Sequence, residues 1–326
     1  MVEAIGLSMN YGQVVALRNA SFKAVRGEVL GLLGPNGAGK TTTMKILTTQ
    51  IVPTSGNGVV AGFDLLKDPI QVRRRVGYLP ENPPLYPEME VAEYIDFVGR
   101  ARGLTGATLK KRIDYTVNVC GLRDVYRTTV GALSRGYAQR VGLGQALIHD
   151  PEILILDEPT SGLDPIQIIG IRDLIKSLAH DKTVIFSTHI LQEVEAISDR
   201  VVIINEGSIV ADGTIDELLV SVTKKRRFTL EVAASRSDLT AALNALRSDN
   251  AFEFNVVDKG GFASASIESE SGRDLWSALS SEIQKNGWAV REFTPEKGSL
   301  EDAFRYHVKY GARDKAAGGE SGGYAE

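Results

Sequence analysis

The run Gly34-Pro35-Asn36-Gly37-Ala38-Gly39-Lys40-Thr41-Thr42 follows the apolar stretch Val29-Leu30-Gly31-Leu32-Leu33. It fits the pattern G-x-x-x-x-G-K-[ST] and sits where a strand should end and a helix begin. The glycines let successive backbone N–H groups turn inward around phosphate oxygens, in a nest that a Cβ would crowd. Lys40 places a positive charge at the β- and γ-phosphates, and Thr41 offers a hydroxyl to Mg²⁺. The helix starting near Lys40 aims the positive end of its dipole at the same phosphates.

The chain around this loop has 326 residues, long for one core, so two domains are expected. Its apolar share of 43% and charged share of 24% are those of a soluble globular protein. A net charge of −4 argues against general nucleic-acid binding, and no nucleic-acid partner is expected. The single Cys120 rules out an intrachain disulfide, suits a reducing compartment and reads as a buried core thiol. The N-terminus shows no signal peptide, and no apolar run approaches the roughly 18 residues of a membrane span. Any membrane role is therefore expected to come through a partner.

Residues 3–33 read as strands Ala4–Met9, Ala20–Lys23 and Glu28–Leu33, with a turn at Asn10-Tyr11-Gly12. A helix after Lys40 ends at Pro53 and the Ser55-Gly56 turn. Val76–Leu79, Ile153–Leu156 and Thr183–Ser187 are buried-type strands, and Ile166–Ala179 reads as a helix. Helical periodicity fills residues 88–150, so a helical block is inserted into an α/β parallel sheet. The basic run Lys224-Lys225-Arg226-Arg227 reads as an exposed link, with contact to anionic lipid headgroups as its alternative.

Beyond the link, strands and helices follow in the order β-α-β-β-α-β, that of a ferredoxin-like unit. The expected domains are 1–222, an accessory α+β domain over 228–310, and a disordered Gly/Ala/Ser-rich tail over 311–326.

Ile153-Leu154-Ile155-Leu156-Asp157-Glu158-Pro159 is an apolar strand ending in two carboxylates. Asp157 would lie beside the phosphate loop and hold Mg²⁺ opposite Thr41. Glu158, one residue further out, is suited to polarise the water that attacks a γ-phosphate. His149, His180 and His307 read as surface residues.

Just before this strand stands Leu133-Ser134-Arg135-Gly136-Tyr137-Ala138-Gln139-Arg140. Here the chain resembles the ATP-binding-cassette (ABC) ATPases, whose signature usually reads L-S-G-G-Q; Ser134 and Gly136 match, while Arg135 and Tyr137 depart. The resemblance covers residues 1–220 and implies a P-loop ABC-type nucleotide-binding domain with an inserted helical subdomain. It implies that Tyr11 stacks on adenine, that Gly34, Asn36, Gly37, Ala38, Gly39, Lys40, Thr41 and Thr42 cradle ATP, and that Ser161-Gly162-Leu163-Asp164 is the D-loop. His189 is then the switch histidine, catalytic together with Glu158 and Lys40. Ser134, Gly136 and Asp164 would complete the ATP site of a second subunit, a copy or a relative, in a head-to-tail pair.

Glu81 ends Gly77-Tyr78-Leu79-Pro80-Glu81 where the family usually has Gln, and is expected to sense Mg²⁺ beside Thr41 and Asp157. Arg135 either adds positive charge toward the phosphate in trans or lies on the surface. The wording of these motifs is similar to exporter-type subunits, including gliding-motility-associated and copper-processing ones. That similarity implies separately encoded integral-membrane permease subunits docking near Glu81–Tyr94, and a cytoplasmic chain held at the inner face of the cell membrane. Partner contact is expected of Leu85 and Tyr86, and core packing of Val91. A soluble ABC ATPase acting on a macromolecular complex is the alternative. The accessory domain is either a small-ligand module or a dimer-strengthening one.

Overall fold

A computed structural model gives the fold and describes residues 1–222, 226–247, 252–269, 275–296 and 299–317. The chain divides into two compact units, one of Met1–Ile215 with the described residues from His307 on, the other of Asp216–Tyr306.

The first unit opens with a hairpin, β1 (Val2–Tyr11) and β2 (Val14–Ala24). The fully buried β3 (Val29–Leu33) leads into α1 (Lys40–Leu47). Then come β4 (Ser55–Val60), β5 (Phe63–Asp64), α2 (Pro69–Arg75) and β6 (Val76–Leu79). The inserted block is α3 (Val91–Ala101), α4 (Gly106–Val119) and α5 (Arg135–Leu147). The α/β pattern resumes with β7 (Ile153–Asp157), α6 (Pro165–Ala179), β8 (Thr183–Thr188) and α7 (Leu191–Ile197). It closes with β9 (Arg200–Asn205) and β10 (Ser208–Gly213), and α8 (Ile215–Val222) then leads into the second unit.

Two sheets share the first unit's core. The larger has the order β10-β9-β3-β8-β7-β6, parallel except for β10, and the smaller the order β2-β1-β4-β5. Strands buried on both faces favour apolar side chains on both, which is why β3, β7 up to Asp157 and the Val184–Phe186 centre of β8 read as apolar runs instead of alternating ones. One apolar cluster joins Leu7, Leu17 and Phe22 of the smaller sheet to Met44 and Ile46 of α1 and to Leu30, Ile155 and Ile185 of the larger. Each such side chain contributes about 1.5–3 kcal/mol by leaving water, so this layer between the sheets is what fixes α1 and the loop before it.

The second unit contains β11 (Arg226–Val232), α9 (Arg236–Arg247), β12 (Phe252–Asp258), β13 (Ala263–Ser269), α10 (Leu275–Asn286) and β14 (Val290–Glu296). Its strands form an antiparallel sheet in the order β12-β13-β11-β14. Leu239 and Leu243 of α9 and Leu279 and Ile283 of α10 bury one face of it. The last helix, α11, is Leu300–Ala317.

Four local expectations are corrected. Tyr11 ends β1, paired with Val14, so the turn is Gly12-Gln13 alone. Ser55-Gly56 opens β4 and does not merely end a helix; Gly56, at φ 83°, fits against the Gly6 carbonyl, where a Cβ would come within 2.2 Å. Arg226 and Arg227 already belong to β11, and Lys224 and Lys225 of the basic run lie outside the described residues. The tail expected to be disordered from residue 311 continues α11 to Ala317, since Ala, Arg and Lys favour helix more than their low-complexity look suggests. Residues 318–326 lie outside the described residues.

Candidate nucleotide site

Strand register assembles the site. In the parallel sheet Leu33 pairs with Thr188, and Asp157 pairs with Ser187. The phosphate loop after β3, the two carboxylates at the end of β7 and the histidine after β8 therefore emerge side by side at the sheet's carboxyl edge, where α/β folds hold ligands.

The loop's glycines are needed for packing as well as for access. Gly39 has φ 108°, and a Cβ there would stand 2.6 Å from the Ala16 carbonyl oxygen; one on Gly34 would stand 2.3 Å from that of Ile204. Lys40 is buried and donates through Nζ to the carbonyls of Gly34 at 2.8 Å and Pro35 at 3.2 Å, inside its own loop. Its third neighbour is Glu158 Oε1, 3.2 Å away.

Thr41 Oγ1 donates to Asp157 Oδ1 at 3.2 Å, and Ser187 Oγ donates to the same oxygen at 2.6 Å. Ser187 Oγ in turn accepts from the Glu158 backbone N–H at 3.0 Å. Glu158 adopts φ 47°, a left-handed conformation that costs a non-glycine residue roughly 1 kcal/mol or more and recurs at functional positions. The twist turns its carboxylate back over the loop, so Oε1 meets Lys40 and Oε2 lies 3.0 Å from His189 Nδ1.

A hydroxyl and a carboxylate facing each other, with a lysine alongside, make a hard-oxygen set suited to Mg²⁺, which keeps most of its coordination for phosphate and water.

These groups wall a cleft of about 490 Å³ lined by Asn36, Gly37, Gly39, Lys40, Thr41, Thr42, Glu81, Glu158, Ser161 and His189, with Ala16 of β2 on one side. Glu81 thus reaches the cleft, while Tyr11 does not line it: it is half exposed on the hairpin. Ser134, Gly136 and Asp164 lie outside the cleft as well. Ser134 caps α5 by accepting from Tyr137 N–H at 3.4 Å, and Asp164 caps α6 by accepting from Gln167 N–H at 2.9 Å. Gly136 is buried against Gln167.

Arg135 is exposed, the second of the two courses expected of it. Its guanidinium covers Gly162 of its own D-loop, so that a Cβ on Gly162 would fall 2.2 Å from Arg135 Cζ.

His149 is not a surface residue. It is largely buried, its Nε2 lies 3.1 Å from the Val76 carbonyl, and burial followed by the Arg102 charge holds its pKa down at about 4. Burial pushes the Cys120 thiol up to about 12, as suits an inert core position. Tyr86, Tyr94 and Phe97 form an edge-to-face aromatic group at 6.1 and 5.8 Å. Val91 and Tyr94 are buried, whereas Tyr86 and Phe97 are exposed.

Sequence reading passed over Ser187, Thr160 and Glu193. Glu193 accepts hydrogen bonds from Thr160 Oγ1 and, at 2.6 Å, from Thr188 Oγ1. The only trace in the sequence is a row of hydroxyls, Ser187-Thr188, before His189, which carries meaning once β7 and β8 are known to be neighbours.

An anion nest on a buried strand, a hydroxyl–carboxylate pair and a carboxylate–histidine pair define the class, a P-loop nucleoside-triphosphatase. Comparison with known proteins narrows it. Residues 17–161 match the family model described as ABC transporter. An uncharacterized ABC transporter ATP-binding protein, all4389 of Nostoc sp., is 42% identical over 66% of this chain, and the match spans 64% of that protein's length. The bacitracin transport ATP-binding protein BcrA of Bacillus licheniformis is 34% identical over 93% of this chain and 96% of its own length. A solved structure of an ATP-binding subunit of an ABC transporter is 31% identical, with a TM-score of 0.62 over 68% of this chain and 92% of that one. The chain belongs to the ABC transporter family, as one of its ATP-binding, ATP-hydrolysing subunits.

Proposed function

We propose that the chain hydrolyses ATP with Mg²⁺ through Lys40, Glu158 and His189, and that it does so in a head-to-tail pair. The observation carrying this reading is the Glu158 carboxylate held between Lys40 Nζ at 3.2 Å and His189 Nδ1 at 3.0 Å. An arriving phosphate draws Lys40 off Glu158 and off the loop carbonyls, because a multiply charged anion outcompetes one carboxylate for the ammonium. Glu158 Oε1 is then free to accept a proton from the attacking water, while His189 holds Oε2 and faces the departing phosphate. Thr41 and Asp157 would hold Mg²⁺, with Glu81 sensing it from the cleft wall. Bound there, the ion supplies positive charge to the phosphate oxygens.

Ser134, Gly136 and Asp164 act on the partner's ATP. Their position outside the cleft of their own chain supports that, and their capping bonds give the signature loop and D-loop fixed shapes to present. Tyr11 reaches adenine only by turning in from the hairpin. The second unit's strand order and its β-α-β-β-α-β succession support a ferredoxin-like fold, and its role is to strengthen the pair. Export through separate membrane subunits, from the inner face of the membrane, is the transport reading. The relative named for bacitracin transport supports a transport role, and exposed Tyr86 and Phe97 beside Leu85 offer the permease an apolar seat. No helix among the described residues is long and apolar enough to cross a membrane.

The test is Glu158→Gln, which keeps the shape and removes the base. ATP-dependent pairing, followed by size-exclusion chromatography, should persist while turnover falls on the order of 100-fold or more, the range of a lost general base. Turnover at the parent rate would remove Glu158 from the chemistry.

A further inference from the structure

Glu193 is 1% exposed, sits in the first turn of α7 and belongs to none of the roles above. A carboxylate at that depth is costly unless its oxygens are met, and both are. Thr160 donates to one and Thr188 to the other, with Arg172 Nη2 further off at 3.9 Å. The two threonines come from different strand ends. Thr160 stands two residues after Glu158, and Thr188 immediately precedes His189.

The bond from Thr188 has a fixed sense. Its hydroxyl already accepts from the Ile190 backbone N–H at 3.0 Å, so its one hydrogen is directed to Glu193. The turn around His189 is thereby closed on both sides, and the same carboxylate ties it to the segment leaving Glu158.

We propose that Glu193 is a positioning residue that clamps the His189 turn to the Glu158 segment and so sets the contact between His189 Nδ1 and Glu158 Oε2. This rests on the reading of Glu158 and His189 as the hydrolytic pair. Glu193 touches neither of them; it acts through the threonines, and what it controls is the alignment of a general base with its orienting imidazole. Small misplacements of such groups lower turnover much more than affinity.

The experiment is steady-state ATP hydrolysis by the full chain for Glu193→Ala, Glu193→Gln, Thr188→Val, His189→Ala and the Glu193→Ala/His189→Ala double variant. Glu193→Ala should lower kcat by about 10-fold or more, with KM for ATP changed by less than about twofold. Glu193→Gln should stay within about threefold of the parent, because its amide oxygen can face Thr188 and its NH2 can face Thr160, which is free to accept. In the His189→Ala background, Glu193→Ala should cause no further loss. If Glu193→Ala does not fold, Thr188→Val reports the same fall in kcat with the carboxylate still in place.

An unchanged kcat in Thr188→Val overturns the proposal. So does a Glu193→Ala loss of equal size with and without His189, or a Gln variant as poor as the Ala variant. A His189→Ala variant with full turnover refutes the hydrolytic pair itself, a different failure that the single variant reveals.

Discussion

At the scale of single residues, His149 shows how a buried ring sets acid sensitivity. Its Nδ1 is buried with no hydrogen-bond partner among the described residues, so a second proton would place charge on a nitrogen that nothing accepts from. The folded pKa is accordingly about 4, against an ordinary 6.5. Between those values the unfolded chain binds a proton that the native chain does not. Stability from this site is therefore present near neutrality and falls as pH drops from 6.5 toward 4. His149→Gln keeps a donor toward the Val76 carbonyl and removes the titration. Urea unfolding should show the variant losing less stability across that window, by on the order of 2 kcal/mol. Superimposable acid limbs would contradict this.

Lys40, Thr41, Asp157 and Glu158 were legible in the sequence because each belongs to a contiguous run whose residue types have one chemistry. Ser187, Thr160 and Glu193 were not, since their partners lie 30 or so residues away and become neighbours only through the β7–β8 pairing. The burial of His149 was hidden for the same reason: it follows from α5 lying against β6, and a His before Asp-Pro looks like any turn residue.

Among secondary-structure elements, the two loops expected to act across a dimer are also helix starts. Asp164 caps α6, with Pro165 as the first helical residue, and Ser134 caps α5. Because Asp164 accepts from Gln167 N–H, Asp164→Ala should cost about 1 kcal/mol of stability and Asp164→Ser a few tenths, read from denaturant midpoints. Equal midpoints for both variants would show the cap to be idle. The elements legible in sequence were those with a strong period or an unbroken apolar run, such as β3, β7, β8 and α6. β4 was missed because glycines at 56 and 58 look like a turn, yet they permit close approach to β1. The far end of α11 was missed because its composition resembles a linker.

At the scale of the molecule, the proposed pairing has one chain contribute halves of two different sites. Its cleft holds the phosphate loop, Glu158 and His189, whereas Ser134, Gly136 and Asp164 stand outside that cleft. The overall α/β reading and the ATPase assignment followed from motif order along the chain. The head-to-tail pairing was expected from the resemblance alone, because sequence order carries no distance between the signature loop and the phosphate loop. The most direct measurement mixes two defective chains, Lys40→Ala and Ser134→Arg, each inactive alone. A mixed pair has one site with an intact Lys40 and an intact Ser134, so equimolar mixing should restore a substantial part of the Mg²⁺-dependent ATPase rate. A mixture no more active than the sum of its two components would contradict a site shared between chains.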